Sequence, residues 1–351
     1  MIFSFILTTD RIMPKQTKAR ILITGSDGFI GRHLKRYFEE KATELNLEVF
    51  GTTYFEEPGE NEIRLDVRNP SEFDKLWNLD FHYIIHTIGD MDITAPEEII
   101  YKINVGGTEN FVEWGKKHNC KHFIYLSSIA VYGPLPIGQN RKEDSFFEYK
   151  TLMLYGKTKR DAEKTIKDSG IPYTILRLPA VLGEKDSQLS PTLVPKILTG
   201  DFFVCGKKKK EKKVSILVVD NLGPILANII KKGALNDEFN CCCSRILWTN
   251  FTKEYFKLLN KDYTPPRKST ISALWNLSDK HYLLLTSFSK WGADFSSAKL
   301  KKEIGEFKIR CDWRKGVRLA VQGYLSEHYE QLMENDLIRP DLLEDLCIIK
   351  K

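Results

Sequence analysis

The chain has 351 residues, of which 42% are hydrophobic, so it can bury one large core together with a smaller lobe. Its 53 basic and 47 acidic residues give a net charge of +6, which is mild for this length and gives no reason to expect a nucleic acid polymer as a partner. No run of residues is long and apolar enough to predict a membrane span, and the apolar residues 1–7 lack the features of a signal peptide.

The seven cysteines form neither a Cys-x-x-Cys pair nor a Cys/His ligand spacing. The sequence therefore predicts no disulfide framework and no metal site, and it favours a reduced, cytoplasmic protein. Cys241, Cys242 and Cys243 are adjacent and would alternate between the two faces of a strand, which favours packing over joint metal binding.

Residues 21–31 read Ile-Leu-Ile-Thr-Gly-Ser-Asp-Gly-Phe-Ile-Gly, an apolar run followed by three glycines spaced three residues apart. This pattern predicts a strand, a tight loop and a helix start that bind a dinucleotide. Gly25 allows the sharp turn, Gly28 lets backbone N–H groups approach a pyrophosphate, and Gly31 lets the helix pack closely on the strand.

Apolar stretches that predict strands alternate with stretches that predict helices along the first half of the chain. The predicted strands cover residues 21–24, 48–53, 63–67, 81–88, 122–127 and 170–178. This alternation predicts an α/β fold with a Rossmann-like, doubly wound parallel sheet.

The end of the second predicted strand is where such a fold selects its cofactor, because an acid there binds the ribose and a base binds a 2′-phosphate. The sequence offers Thr52, Thr53 and Tyr54, with Glu56 and Glu57 slightly later. The choice between NAD and NADP therefore stays open.

Two polar residues end other predicted strands. Asp66 is interpreted either as an acceptor for the adenine amino group or as a helix N-cap or turn carboxylate. His86 is interpreted as a packed or hydrogen-bonded core histidine rather than as a ligand.

The predicted chemistry lies after the strand at 122–127. Ser127 and Ser128 place two hydroxyls at the carboxyl end of a parallel strand, where open α/β sheets bind ligands. Tyr155 and Lys159 are four residues apart and share one face of a predicted helix. A nearby ammonium favours the phenolate, so we expect Lys159 to lower the pKa of Tyr155 and to allow proton exchange near neutral pH.

Together these motifs resemble an extended short-chain dehydrogenase/reductase of the NAD-dependent epimerase/dehydratase family. The matching motifs lie, in the family's order, at residues 24–31, 65–67, 104–108, 127–133, 155–159, 176–183, 218–221 and 294–299. The resemblance implies Ser128 as the catalytic serine, Tyr155 as the acid/base, and Lys159 as its activator and a contact of the nicotinamide ribose.

The same resemblance implies the ligand contacts. The cofactor, NAD or NADP, would be bound by Gly25, Asp27, Gly28, Phe29, Ile30, Asp66, Val67, Thr87, Ile88, Asn104 and Lys159. The substrate would be bound by Ser128, Tyr155, Arg177 and Lys213. For Arg177, a purely structural role is the alternative.

Three departures from the family pattern bear on the substrate. Ile129 and Ala130 stand where sugar 4,6-dehydratases carry an Asp-Glu pair, so dehydration by that route is not expected. Residues 86–89 replace the usual His-x-Ala-Ala, which puts the nicotinamide-side packing in question. Residues 178–183 lack the asparagine that sugar epimerases often have, which weakens the assignment to a simple hexose.

A lysine-rich run at residues 207–213 has two interpretations. The first is a solvated hairpin loop kept open by like charges. The second gives Lys213 a role on the substrate diphosphate, because sugar epimerases of the family often place an arginine there, seven residues before Asp220. Lysine lacks the bidentate fork of arginine.

We expect a nucleotide-binding domain at 19–183 plus 214–243 and a smaller substrate-binding lobe at 184–213 plus 244–324. Residues 1–18 would form an extension, and residues 325–351 a tail of short helices that docks on the body or on a partner. Relatives often dimerise through helices that would begin here near Asn104 and Leu152, so a homodimer is one option.

The expected function is NAD(P)-dependent chemistry at a carbinol or keto carbon of a nucleotide sugar, as an epimerase or a 4-ketoreductase. One alternative is a hydroxysteroid-like dehydrogenase of an apolar alcohol. The other is a non-catalytic NAD(P)-binding sensor or scaffold.

Overall fold

The computed structural model describes residues 18–92, 95–133, 138–145, 153–205, 212–269 and 280–339, together with Leu342, Glu344 and Leu346. Of the expected extension at 1–18, only Lys18 lies within these ranges. Most of the lysine-rich run and Leu152 also lie outside them.

Within these ranges the strands are β1 (Ala19–Thr24), β2 (Leu47–Thr53), β3 (Glu62–Arg64), β4 (Tyr83–His86), β5 (His122–Ser128), β6 (Gly138–Arg141), β7 (Tyr173–Leu178), β8 (Ala180–Leu182), β9 (Val204–Cys205), β10 (Lys213–Val218), β11 (Glu238–Asn240), β12 (Ser244–Leu247), β13 (Arg267–Lys268) and β14 (Ala293–Phe295).

The α-helices are α1 (Phe29–Glu40), α2 (Ala42–Leu45), α3 (Glu97–Tyr101), α4 (Gly107–Lys117), α5 (Leu154–Ser169), α6 (Leu189–Leu198), α7 (Leu222–Lys232), α8 (Trp248–Leu258), α9 (Lys280–Lys290), α10 (Ala298–Ile304) and α11 (Trp313–Glu334). A π-helical turn (Lys102–Gly106) joins α3 to α4. The 3₁₀ segments are Pro70–Leu76, Ile129–Tyr132 and Val219–Asn221.

Seven strands form a parallel sheet in the order β11-β7-β5-β4-β1-β2-β3. The chain builds from β1 out to β3, then returns to β4 on the other side of β1 and continues to β11. This reversal places the ends of β1 and β4 side by side, at the switch point where such sheets bind ligands. The predicted Rossmann-like, doubly wound sheet is confirmed.

Apolar cores cover both faces of this sheet. Ile21, Leu22 and Ile23 of β1 are fully buried, as a strand covered on both faces requires. Ile21 and Ile23 pack with α1 and α7, whereas Leu22 packs with α4 and α5. The apolar run that predicts β1 is therefore explained by burial on two sides.

A second sheet lies in the smaller lobe and includes strands that we expected in the nucleotide-binding domain. Its order is β12-β10-β14-β6, with β8 also paired to β10. Val214, Ile216 and Val218 of β10 pack in the core of the lobe, whereas Leu217 packs in the core of the parallel sheet. Because side chains alternate along a strand, β10 joins the two units.

Helix α11 crosses the expected boundary between lobe and tail at 324/325. Leu332, Ile338, Leu342 and Leu346 are buried in the core of the lobe. The described part of the tail therefore packs on the body of the protein.

Across the ranges given above, no helix combines the length and the apolar character needed to span a bilayer.

Candidate functional site

The glycine loop between β1 and α1 has the predicted geometry. Gly25 has a φ of +65°, a left-handed conformation that favours glycine. A Cβ on Gly31 would lie 1.9 Å from the carbonyl oxygen of Gly25, so the helix packs too closely there for any side chain. Gly28 caps α1 without a side-chain hydrogen bond, and the first turn holds no acidic residue. The backbone N–H groups of Phe29 and Ile30 in that turn are therefore suited to an anion such as a pyrophosphate.

The loop after β4 lies against the glycine loop. The hydroxyl of Thr87 donates to the carbonyl oxygen of Thr24 at 2.6 Å, and its N–H donates to Thr24 Oγ1 at 3.1 Å. A Cβ on Gly25 would lie 2.9 Å from Cγ1 of Ile88. The structure thus brings three of the predicted cofactor residues together at the switch point.

Asp27 carries a carboxylate to the end of β2. Its Oδ2 accepts hydrogen bonds from the N–H groups of Tyr54 and Phe55, each at 2.9 Å. A carboxylate from the glycine loop therefore lies at the end of β2, whose own residues include no acid at that end. Arg32 lies 3.3 Å from Glu56 and also donates to the carbonyl oxygen of Asp27. Because an acid and a base both border this position, the site fits NAD and NADP.

Arg68, whose contact with Asp66 was not predicted from the sequence, binds that carboxylate. Its Nε lies 2.9 and 3.1 Å from the two carboxylate oxygens, and its Nη2 lies 2.7 Å from Oδ2 and 2.8 Å from the hydroxyl of Tyr54. The hydrogen bonds from Arg68 hold the pKa of Asp66 below its usual range. Val67 packs on α4, where a Cβ on Gly107 would lie 2.8 Å from its Cγ2. The adenine contact of Asp66 stays a prediction.

Asn104 holds the loop after β4 in place. The N–H of Asp90 donates to its Oδ1 at 2.7 Å, and its Nδ2 donates to the Asp90 carbonyl oxygen at 2.9 Å and to Thr158 Oγ1 at 3.0 Å. Both amide protons therefore have protein partners. The Asn104 side chain therefore positions this loop, and its cofactor contact stays a prediction.

Ser128, Tyr155 and Lys159 meet where β5 ends and α5 begins. Ser128 is the last residue of β5, and the other two lie one turn apart near the start of α5. Tyr155 is half-buried, and the Ser128 hydroxyl is the side-chain group that acts to lower the pKa of its phenol. Lys159 is 2% exposed, and its Nζ donates to the backbone oxygen of Leu126 at 2.8 Å. A Cβ on Gly89 would lie 3.3 Å from this Nζ, so the loop after β4 borders the lysine.

Burial sets the pKa values of two of these groups. It raises the pKa of Tyr155 to about 12, and the hydrogen bond with Ser128 opposes this change. It lowers the pKa of Lys159 to about 7, and the carboxylate of Glu163 opposes this change. The prediction that Lys159 lowers the pKa of Tyr155 is therefore wrong for this structure, in which Ser128 is the group that favours the phenolate.

Arg177 is fully buried, and protein acceptors occupy its guanidinium. Its Nε and Nη2 bind the two carboxylate oxygens of Glu163 at 3.0 and 2.7 Å. Its Nη1 donates to the hydroxyl of Tyr132 at 3.1 Å and to the carbonyl oxygen of Glu143 at 3.0 Å. This corrects the expected substrate contact of Arg177, because the structure supports the structural alternative.

Lys213 is exposed at the start of β10. Its backbone is held by Gln139, whose Oε1 accepts from the Lys213 N–H and whose Nε2 donates to the Lys213 carbonyl oxygen, each at 3.2 Å. A fixed backbone with an exposed ammonium is compatible with a bound anion, and the phosphate role of Lys213 stays a prediction.

His86 is a core residue, as the sequence indicates. It is fully buried and hydrogen-bonded to the hydroxyls of Thr24 at 2.8 Å and Thr108 at 3.1 Å. Burial lowers its pKa to about 3, so the ring is neutral near pH 7. Cys241 and Cys242 are also buried, in agreement with a packing role.

Comparison with known proteins places these features in a family. The family model of NAD dependent epimerase/dehydratase proteins matches residues 21–242. The chain is 24% identical over 201 residues to the N-acetyl-alpha-D-glucosaminyl-diphospho-ditrans,octacis-undecaprenol 4-epimerase of Escherichia coli O157:H7, covering 56% of this chain and 59% of that protein. It is 31% identical over 124 residues to 3 beta-hydroxysteroid dehydrogenase type 7 of Mus musculus, covering 32% of this chain and 33% of that protein. The chain spans less than two thirds of the length of these curated relatives.

A solved structure shows the same fold. UDP-glucuronic acid 4-epimerase from Bacillus cereus, in complex with NAD, is similar with a TM-score of 0.68 at 18% identity, covering 88% of this chain and 96% of that chain. The family model spans more than half of this chain and includes both the glycine loop and the Ser-Tyr-Lys site. The chain therefore belongs to the NAD-dependent epimerase/dehydratase family.

Proposed function

We propose that the protein is an NAD(P)-dependent enzyme that acts on a carbinol or keto carbon of a nucleotide sugar, as a 4-epimerase or a 4-ketoreductase. The observation that carries this proposal is the position of Ser128, Tyr155 and Lys159 beside the glycine loop. The loop after β4 connects the two parts of the site, because its Ile88 lies beside Gly25 and its Gly89 lies beside Lys159.

Bound NAD or NADP would accept or donate the hydride. In this proposal the N–H groups at the start of α1 bind the pyrophosphate, and Asp27 and Asp66 accept from the adenosine moiety. Lys159 contacts the nicotinamide ribose. The uncapped start of α1 and the absence of an acid in its first turn support the first of these roles.

The Tyr155 phenol transfers the proton, and the Ser128 hydroxyl holds the substrate oxygen. A phenol with a pKa of about 12 is protonated at neutral pH, so it is ready to donate to the oxygen of a keto group. Removing a proton from a carbinol requires a more stable phenolate. The hydrogen bond from Ser128 acts in that direction.

Two observations favour a nucleotide sugar as the substrate class. By name, the Bacillus cereus neighbour is a 4-epimerase of a UDP-linked sugar, whereas the Escherichia coli relative is a 4-epimerase of a sugar diphosphate linked to undecaprenol. Both names describe a sugar that is attached to a diphosphate. Lys213 is exposed on the lobe, seven residues before Asp220, where an ammonium would attract a diphosphate.

A hydroxysteroid-like dehydrogenase is the second candidate. It is favoured by the mouse relative and by residues 178–183, which carry no amide side chain to bind a polar substrate. The Ala180 side chain in this stretch packs against the apolar core of the lobe.

Lys213→Ala separates these candidates. If the substrate is a nucleotide sugar, we expect its Kd for a UDP-sugar to rise about tenfold, because one charge-assisted contact is lost. Lys232→Ala, at the exposed end of α7, is the matched control and should leave the Kd unchanged. An unchanged Kd in Lys213→Ala would contradict the phosphate role and favour the apolar alcohol.

A further inference from the structure

Lys167, Glu238, Arg177 and Glu163 form a line of ion pairs that runs from the surface to the buried region beside Lys159. Lys167 Nζ lies 2.7 Å from one carboxylate oxygen of Glu238, whose other oxygen lies 3.2 Å from Nη2 of Arg177. The same Nη2 lies 2.7 Å from Oε2 of Glu163. Glu163 is 2% exposed and follows Lys159 by one turn of α5. A buried carboxylate therefore ends this line on the same helix face as the lysine.

Glu163 is also bound to the end of β5. Its Oε1 accepts a hydrogen bond of 2.6 Å from the hydroxyl of Ser127. The preceding residue, Leu126, accepts from Lys159, and the following residue makes the serine–tyrosine contact described above. Three successive residues of the strand thus contact three residues spaced four apart on α5. Because all three contacts join the same strand end to the same helix, the Glu163 contact helps to fix the positions of Tyr155 and Lys159.

We propose that Glu163 is a positioning residue of this site, whose carboxylate fixes α5 on the end of β5 and holds Lys159 in its charged ammonium form. The inference deepens the proposed function and rests on it, because that function places Lys159 on the nicotinamide ribose. Burial lowers the pKa of Lys159 to about 7, and Glu163 is the group that opposes this change. An isolated lysine in the same surroundings would be neutral at lower pH.

The groups that face Lys159 and Glu163 come from several elements. They are His86 on β4, Tyr125 on β5, Tyr132 after it, Tyr155, Arg160, Lys164, Lys167 and Asp168 on α5, Tyr173 and Arg177 on β7, and Glu238 on β11. Burial lowers the pKa of His86 to about 3 and raises that of Tyr125 well above its usual range. Although burial opposes it, the hydrogen bonds with Glu163 raise the pKa of Arg177. Between pH 6 and pH 9 the charge of Lys159 therefore changes, while the charges of His86, Tyr125 and Arg177 do not.

The test is a double-mutant cycle of Glu163→Gln and Lys159→Met, with the Tm of all four proteins measured at pH 6 and at pH 9. At pH 6, where Lys159 is charged, we expect Glu163→Gln to lower the Tm by at least about 2 °C more in the wild-type background than in Lys159→Met. At pH 9, where Lys159 is neutral, Glu163→Gln should lower the Tm by the same amount in the wild-type background and in Lys159→Met. A difference that is the same at both pH values, or absent at both, would overturn the proposal.

Glu238→Gln is the matched control, because it removes the outer carboxylate of the same line without contacting Ser127 or Lys159. Its Tm loss should be the same in both backgrounds at both pH values, and a pH-dependent difference as large as that of Glu163→Gln would contradict the inference.

If Glu163→Gln does not fold, Glu163→Asp takes its place and should give a smaller difference of the same sign at pH 6 only. A Glu163→Asp difference that is absent, or equal at both pH values, would again overturn the proposal. Because the readout is Tm and not turnover, its failure would be distinguishable from failure of the proposed enzymatic function.

Discussion

The side-chain Nζ of Lys159 donates a hydrogen bond of 2.8 Å to the backbone carbonyl oxygen of Leu126, two residues before Ser128. The same Nζ lies 4.2 Å from the centre of the Tyr125 ring. The ammonium is therefore held by the end of β5 rather than by the phenol of Tyr155. Its charge acts on the whole strand end, where the substrate oxygen and the nicotinamide ribose would lie.

Lys159→Met should change the way in which stability depends on pH. Burial lowers the pKa of Lys159 from 10.5 to about 7, so the unfolded chain binds more protons than the folded one between these values. The free energy of unfolding of the wild type therefore contains a contribution that rises with pH across this interval. Below pH 7 the buried lysine is charged in the folded protein, and its destabilising effect is at its maximum. Relative to the wild type, Lys159→Met should be more stable at pH 6 than at pH 10 by about 4 kcal/mol. Urea denaturation of both proteins at pH 6 and at pH 10 measures their free energies of unfolding. If the variant and the wild type differ by the same amount at both pH values, the low pKa of Lys159 is contradicted.

Tyr155→Phe should abolish most of the turnover while leaving the nucleotide bound. Removing the hydroxyl deletes the proton donor and acceptor, which in enzymes of this kind contributes about 10²–10⁴-fold to the rate. Steady-state kinetics and nucleotide titration report the two properties separately. Tyr83→Phe is the control, because Tyr83 begins β4 at the opposite end of the sheet from the site. This variant should leave both turnover and nucleotide binding unchanged. A fully active Tyr155→Phe would contradict the assignment of Tyr155 as the residue that transfers the proton.

Gly31→Ala should destabilise the glycine loop and prevent dinucleotide binding. The added Cβ would lie 1.9 Å from the backbone oxygen of Gly25, which a side-chain rotation does not relieve. We expect a loss of more than about 2 kcal/mol in the free energy of unfolding. Gly106→Ala is a helical control whose Cβ would lie 4.0 Å from its nearest neighbour, so it should change stability by less than about 1 kcal/mol. Thermal denaturation with and without NAD measures both effects, and a Gly31→Ala variant that still binds NAD like the wild type would refute the assignment of this loop.

Much of the parallel sheet and of the glycine loop follows from local pattern. The fully buried run Ile21, Leu22 and Ile23 is apolar at every position, which is typical of a strand covered on both faces. The positive φ of Gly25 and the close approach at Gly31 are also local requirements, so glycine spacing alone predicts them.

The errors arise where a side chain's role depends on a distant partner. The sequence around Arg177 contains no sign that Glu163 and Glu238 will enclose its guanidinium. Helical spacing places Tyr155 and Lys159 on one face, but the desolvation that controls both pKa values is a property of the assembled core.

Conversion of a panel of UDP-sugars and their 4-keto derivatives by the wild type and by Tyr155→Phe would show whether this site performs the proposed chemistry. Each substrate would be supplied with NAD or with NADPH, the sugar followed by proton NMR and the cofactor by its absorbance. We predict that the wild type inverts or reduces the C4 position of at least one nucleotide sugar and that Tyr155→Phe does not. Conversion by Tyr155→Phe at the wild-type rate, or no conversion of any nucleotide sugar by a wild type that binds the cofactor, would contradict this prediction.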